Sequence, residues 1–187
     1  MYEQICDQVM SIKEKTEELG YSITEMATTG ETAGGCLAML YAYRNPNKSP
    51  IPIKFVFQMS GPATFIPELW GSTDTESAAD FVTMMYGETV TSEMIENGKT
   101  SKLINEISPA AYVNKTTVPT IIAYGSKDKV VPTGLKEQLI QAFNEYDVTY
   151  KFIEFPNSGH TMALDKDKTQ AYFEAVEEYL KLYFENN

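Results

Sequence analysis

The sequence predicts an α/β fold, a parallel sheet with helices on both faces, built as a single domain over residues 1–187. Three observations predict it. Strand-like and helix-like apolar patterns alternate along the chain, and alternation within one domain marks parallel β-α-β units. The length of 187 residues suits one domain, since a domain usually takes about 100–200. An apolar share of 43% and a charged share of 22% are near the globular average, which excludes disorder and low complexity.

The elements follow in order. Tyr2, Ile5, Val9, Ile12, Thr16 and Leu19 recur every three or four residues, so an amphipathic helix opens the chain and Gly20 closes it. Residues 21–28 read as a short strand and 30–35 as a tight turn. Ala33–Arg44 is apolar nearly all round, the mark of a helix buried on most sides. A strand covers 51–59, starting at Pro52, and Ser60-Gly61-Pro62 ends it. Residues 63–115 break the rhythm with turns and short helices at 77–86 and 92–107, a cap-like insertion over the sheet edge. The rhythm returns with a strand at 119–124, a helix at 133–146, a strand at 148–155 and a last helix at 166–184. That helix sets Tyr172, Val176, Tyr179 or Leu180, and Tyr183 on one stripe. There is no internal repeat and no linker.

Composition removes several function classes. Lys and Arg total 15 against 26 Asp and Glu, a net charge of −11, so nucleic acid and acidic membrane surfaces are repelled. The longest unbroken apolar run, 36–43, is far short of the roughly 20 residues that span a bilayer. Cys6 and Cys36 both lie in apolar helical patterns, where a thiol acts as a small hydrophobe. Two such cysteines make neither a disulfide framework nor a metal cluster, and no metal or cofactor is expected. The acidic start, Met1 to Asp7, lacks the basic-then-apolar pattern of a secretory signal. The expected compartment is the cytoplasm, with the condition that an upstream segment would have carried any signal.

The decisive segment is Gly30-Glu31-Thr32-Ala33-Gly34-Gly35, between a strand and a buried helix. A Gly-x-Ser-x-Gly run at that place makes a nucleophile elbow, a sharp turn that lifts the serine oxygen above the sheet. The glycines let strand and helix approach closely. Here Thr32 holds the serine position. Asp128 follows the third strand in Gly125-Ser126-Lys127-Asp128, and His160 follows the fourth in Asn157-Ser158-Gly159-His160. All three stand at carboxyl ends of strands, where active groups of open α/β sheets gather. Hydroxyl, acid, histidine is also the chain order of the Ser-Asp-His hydrolases with such an elbow.

With these motifs, and with Ser108-Pro109-Ala110-Ala111-Tyr112-Val113 and 119–132, the sequence resembles the α/β-hydrolase family. The branch it resembles is the esterase/lipase one, with carboxylesterases and acetyl-xylan-type esterases. Prolyl-oligopeptidase-type peptidases share the same motifs. The resemblance implies Thr32 in the nucleophile place, His160 as general base and Asp128 as the acid that orients the imidazole. It also implies the backbone N–H of Ala33 as one oxyanion donor.

Two departures bear on activity. A β-branched residue fits strained elbow backbone worse than serine does, and its methyl crowds the attacking oxygen. A working threonine nucleophile pairs with an N-terminal amine, which internal Thr32 lacks. The family also places about four strands before the elbow, with an oxyanion loop, and this sequence starts after them. The expectation is therefore an α/β-hydrolase-like sheet lacking those N-terminal strands. Its elbow strand becomes an edge, which a second copy or a separate N-terminal chain would cover.

The expected function is an esterase/lipase-type hydrolase scaffold for small carboxylic esters, with weak or absent activity. The alternatives are a non-catalytic binding or partner-assembly protein of the same fold, or a prolyl-oligopeptidase-like peptidase fragment. Phe65, Trp70, Phe81, Met84, Met85 and Tyr86 read either as packing under a cap or as an apolar acyl or alcohol pocket. The acidic clusters at 14–18 and 174–178 read as solvated helix faces, and Glu31 carries no role.

Overall fold

The computed structural model describes residues 2–185. Four strands, β1 (Met26–Glu31), β2 (Ile53–Met59), β3 (Thr120–Gly125) and β4 (Tyr150–Phe155), form one sheet. They are all parallel and lie side by side in chain order. Right-handed crossovers that advance in one direction leave their helices on one face. Accordingly α1 (Tyr2–Glu18), α2 (Ala33–Arg44) and α6 (Gly134–Glu145) pack on one side, and α7 (Lys166–Leu180) covers the other.

Strand alternation feeds both layers. On β3, Ile122 and Tyr124 face α2 and α6, whereas Ile121 and Ala123 face α7. The first core joins Met39, Leu40 and Tyr43 of α2 to Leu135, Leu139 and Phe143 of α6. Inside it the hydroxyls of Tyr43 and Thr120 share a 2.7 Å hydrogen bond, so neither is left unpaired in an apolar layer. The second core centres on Phe55, whose ring lies 5.6 Å from that of Tyr179, 6.0 Å from Tyr183 and 5.9 Å from Phe184.

The helix α2 begins and ends where the sequence predicts. The first strand does not: the ladder starts at Met26, opposite Ile53, and 21–25 precede the strand with Tyr21 exposed. β1 has only β2 beside it, with an irregularity at Met26/Ala27, so strand length follows the partner and not local pattern. The helix expected over 92–107 is two, α4 (Ser92–Glu96) and α5 (Ser101–Ile107), parted by Gly98 at φ 65°. The last helix gives way at Lys181 to a wider turn over 181–185, and Tyr179, not Leu180, is the buried member of its stripe.

Between β2 and β3, α3 (Thr75–Tyr86), α4 and α5 form a satellite layer around Ala79, Val82, Val90 and Ile104. Asp74 caps α3 by accepting from Ser77 N at 2.8 Å, while Ser77 Oγ accepts from the Asp74 N–H. Phe65 and Trp70 stack at 5.7 Å, Phe81 tilts against Trp70 at 5.5 Å, and the indole N–H donates to Thr64 O. These rings pack on one another, the packing reading of that cluster.

Replacing Phe55 by alanine removes a side chain touched by the rings of Tyr179, Tyr183 and Phe184; the expected cost is about 3–5 kcal/mol. Hydrogen exchange of the Phe55→Ala variant should rise first in α7, and equal loosening of α2 would contradict this two-layer description.

Candidate active site

Backbone bonds continue one step beyond the carboxyl ends of the strands. Thr32 N donates to Met59 O at 2.9 Å, Ser60 N to Ala123 O at 2.9 Å, and Ser126 N to Phe155 O at 3.0 Å. These three bonds tie the loops after all four strands into one row.

At its first member the chain turns in one residue. Thr32 has φ 47° and ψ −121°, the conformation at the first central position of a type II′ turn, where glycine is the usual tenant. Gly30 makes the turn possible: a methyl group there would lie 2.3 Å from the Gly34 carbonyl carbon. Gly34 itself has open space around it, so its lack of a side chain is not what lets strand and helix approach. Thr32 does not cap α2 with its hydroxyl. Ala33 is the first residue of that helix, where N–H groups have no partner within the helix.

His160 and Asp128 meet across the loops after β3 and β4. Imidazole Nδ1 lies 2.8 Å from Asp128 Oδ2, while Oδ1 accepts from Val130 N at 2.8 Å and Val131 N at 3.0 Å. Burial pushes the Asp128 carboxyl up, but the Val131 N–H, the imidazole and the Val130 N–H together outweigh it and hold the group below the usual carboxylate range. An ionised carboxylate only accepts. Nδ1 therefore donates to Asp128 Oδ2.

A second aspartate, which sequence reasoning missed, anchors the histidine loop. Asp165 accepts from Ser158 Oγ at 2.5 Å, from Asn157 N at 3.0 Å and from Asn157 Nδ2 at 2.9 Å. Burial raises its carboxyl, and the Ser158 and Asn157 donors bring it below its ordinary value. The only sequence signal was an acid five residues beyond the Gly-His pair. Gly125 completes the fit, because a methyl group there would lie 2.3 Å from Gly159 O.

Thr32, His160, Met59, Ser60, Met162 and Glu31 are neighbours in the wall of one small pocket of about 60 Å³. Glu31, given no role from sequence, thus borders the site, and none of the aromatic cluster at 65–86 does. Among the described residues only Thr32, Ser60, Asp147 and Met162 are non-glycine residues with positive φ. Three of those four line this pocket. Strained backbone concentrates where a site demands it. Ser60 also escaped sequence reasoning, since a serine ending a strand has no distinguishing spacing.

Among the described residues no cluster of His, Cys, Asp and Glu is placed to hold a metal ion, and no helix is long and apolar enough to cross a membrane. Cys36 is buried, and burial pushes its thiol up to about 12, so it packs as a hydrophobe.

A parallel sheet that collects a hydroxyl, an imidazole and a carboxylate at the ends of its strands belongs to a known class, the α/β-hydrolase-type esterase domains. The chain is a member of the BD-FAE family, whose model matches residues 3–143, a stretch that includes Thr32, Ala33 and Asp128 and stops short of His160. Among solved structures it is similar to a truncated form of a carbohydrate esterase from gut microbiota, with TM-score 0.71 and 16% identity over 92% of this chain and 67% of that one. It is similar also to a thermophilic esterase from the Planctomycetes species Thermogutta terrifontis, with TM-score 0.69 and 16% identity over 94% of this chain and 61% of that one. A third is a puromycin-hydrolysing peptidase of Mycobacterium tuberculosis, with TM-score 0.67 and 16% identity over 94% of this chain and 24% of that one. The chain thus spans about two thirds or less of each neighbour's length, and identities this low speak for the fold alone. No curated protein matches it.

Asp128 and Asp165 both have folded-state carboxyls below their ordinary values. Their stabilisation is therefore complete above the unfolded value near pH ~4 and fades as pH falls through the folded ones. Melting temperature should drop below about pH 4, and Asp165→Asn should flatten that drop. An unchanged acid slope in the variant would contradict the loop-anchoring role of Asp165.

Proposed function

We propose that this chain is an esterase-type hydrolase scaffold for small carboxylic esters, with activity that is weak or absent. The observation that carries the reading is the 2.8 Å His160–Asp128 bond beside Thr32 in one pocket. In the reaction, Thr32 Oγ1 adds to the ester carbon while His160 Nε2 takes its proton. Asp128 steadies the imidazolium, and the Ala33 N–H faces the developing oxyanion. The imidazolium then gives its proton to the leaving alcohol, and water releases the acyl group by the same steps.

The weakness has a physical source. Thr32 has β-branching in backbone that costs about 1–3 kcal/mol to hold, and its methyl shields the attacking oxygen. Residues 63–115 would act as a cap over the substrate side of a single domain. The unpaired Cys6 and Cys36 support a cytoplasmic setting.

One observation favours a second reading, a non-catalytic partner-assembly protein. Along the free edge of β1 runs an apolar groove of about 310 Å³ walled by Ile5, Val9, Met26, Leu37 and Tyr41. An apolar strand edge is a template for another chain, either a second copy or a separate N-terminal chain. A monomer at all concentrations by sedimentation would count against the self-association form. The peptidase alternative rests on fold likeness, and no feature of the pocket favours a peptide.

Turnover of p-nitrophenyl acetate decides the main reading. The parent chain should sit near background, Thr32→Ser should raise the rate by about tenfold or more, and adding His160→Ala should remove that gain. A Thr32→Ser rate that ignores His160, or no gain at all, would overturn the catalytic part.

A further inference from the structure

Gln58 lies on β2 between Gly30 of β1 and Ile122 of β3, and it is fully buried. A carboxamide there is unfavourable unless its polar atoms are bonded. Gly61 N donates to Gln58 Oε1 at 2.6 Å, Gln58 Nε2 donates to Tyr124 OH at 3.1 Å, and Tyr124 OH donates to Gly61 O at 2.6 Å. The three bonds close a ring in which each group donates to the next, and Gly61 is held by both its N–H and its carbonyl. An amide is the side chain that fits, because the ring needs an acceptor and a donor at one tip. The ring is wedged against the elbow. A methyl group on Gly35 would lie 2.9 Å from Gln58 Oε1 and 3.1 Å from Gly61 Cα, and one on Gly61 would lie 3.0 Å from Cys36 N. Gly35 and Cys36 belong to the first turn of α2, which starts one residue after Thr32. On the far side Tyr124 precedes Gly125, whose carbonyl accepts from Asp128 N at 3.2 Å.

We propose that Gln58 and Tyr124 are positioning residues, whose ring with Gly61 sets where Thr32 stands relative to the His160–Asp128 pair. Neither side chain is in the pocket wall, so the ring acts through backbone. It fixes Gly61 against the first turn of α2 on one side and is tied, through Tyr124, to the end of β3 that leads to Asp128 on the other. Burial pushes the Tyr124 phenol up, and a carboxamide has no titrating proton, so the ring keeps its protons on either side of neutral pH. The fit also explains which glycines the elbow needs: Gly35 gives way to the amide, whereas Gly34 has open space. The catalytic half of this assignment rests on the ester reading of the site, and it adds to that reading two residues that touch no substrate.

The test compares two buried phenols of one core layer. Tyr124→Phe opens the ring, whereas Tyr43→Phe removes the 2.7 Å bond to Thr120 elsewhere in the same layer. Amide hydrogen exchange is read at Thr32 and Gly61, whose N–H groups are bound to Met59 O and Gln58 Oε1. Tyr124→Phe should speed exchange at both by about tenfold or more, and Tyr43→Phe should leave both within about twofold of the parent. In the Thr32→Ser background with p-nitrophenyl acetate, Tyr124→Phe should lower kcat by about tenfold at a KM within about twofold, and Tyr43→Phe should move neither. If Tyr124→Phe fails to fold, Gln58→Met keeps the volume, removes both amide bonds and must show the same two effects. Unchanged exchange at Thr32, an equal rise in Tyr43→Phe, or an unchanged kcat in an active Thr32→Ser chain would each overturn the assignment. Ring-dependent exchange at Thr32 in a chain whose Thr32→Ser variant turns over no ester would sink the ester reading and leave the ring as the holder of the elbow.

Discussion

The working end of the molecule depends on three backbone bonds that extend the sheet one step past its strands. Thr32 to Met59, Ser60 to Ala123 and Ser126 to Phe155 couple four loops that are otherwise far apart in sequence. In a parallel sheet every strand ends at the same edge, so these bonds need no long connections to bring the loops together. They also prevent the loops from drifting independently. The imidazole and carboxylate meet because Ser126 and Phe155 are bound, and Thr32 and Ser60 share a pocket because Met59 and Ala123 accept from them. Glycines at 30 and 125 admit backbone where any side chain would collide.

The molecule spends stability at this edge. Positive φ at Thr32, Ser60 and Met162 and an unpaired Ser60 hydroxyl are each unfavourable, and each is located around one pocket. The compensation lies in the two layers beneath. Phe55, Ile121 and Phe155 are buried against α7, and Leu135, Leu139 and Phe143 against β3 and α2. Away from the edge, polar groups in the core are paired, as Tyr43 with Thr120 and Gln58 with Tyr124. Strain confined to one pocket in an otherwise satisfied fold is the physical reason to look for function there.

Much of this was legible in the sequence where a local rule acts alone. Helix α2 was readable at both ends because a turn precedes it and an apolar run fills it. Asp128 and His160 were readable because each follows a strand whose pattern is unmistakable. β1 was misplaced, since an edge strand's extent is set by its one neighbour and not by residues 21–25. The break at Gly98 was marked by the Asn97-Gly98 pair, a turn signal that the apolar spacing on either side outweighed in the reading. Ser60 and Asp165 were invisible for a different reason: one matters through a backbone angle and a missing partner, the other through contacts with Asn157 and Ser158. Neither property is written in residue type or spacing.

The proposed chemistry turns on Asp128, whose carboxylate lies 2.8 Å from Nδ1 of His160, fixing one tautomer of that imidazole. His160 is the single histidine of the chain, so a nitrogen-15 spectrum of the imidazole contains one pair of ring signals with no assignment problem. The account predicts a protonated Nδ1 and a bare Nε2 at neutral pH, with that preference lost in Asp128→Ala. Protonation at Nε2, or rapid averaging of both tautomers as in free histidine, would contradict it.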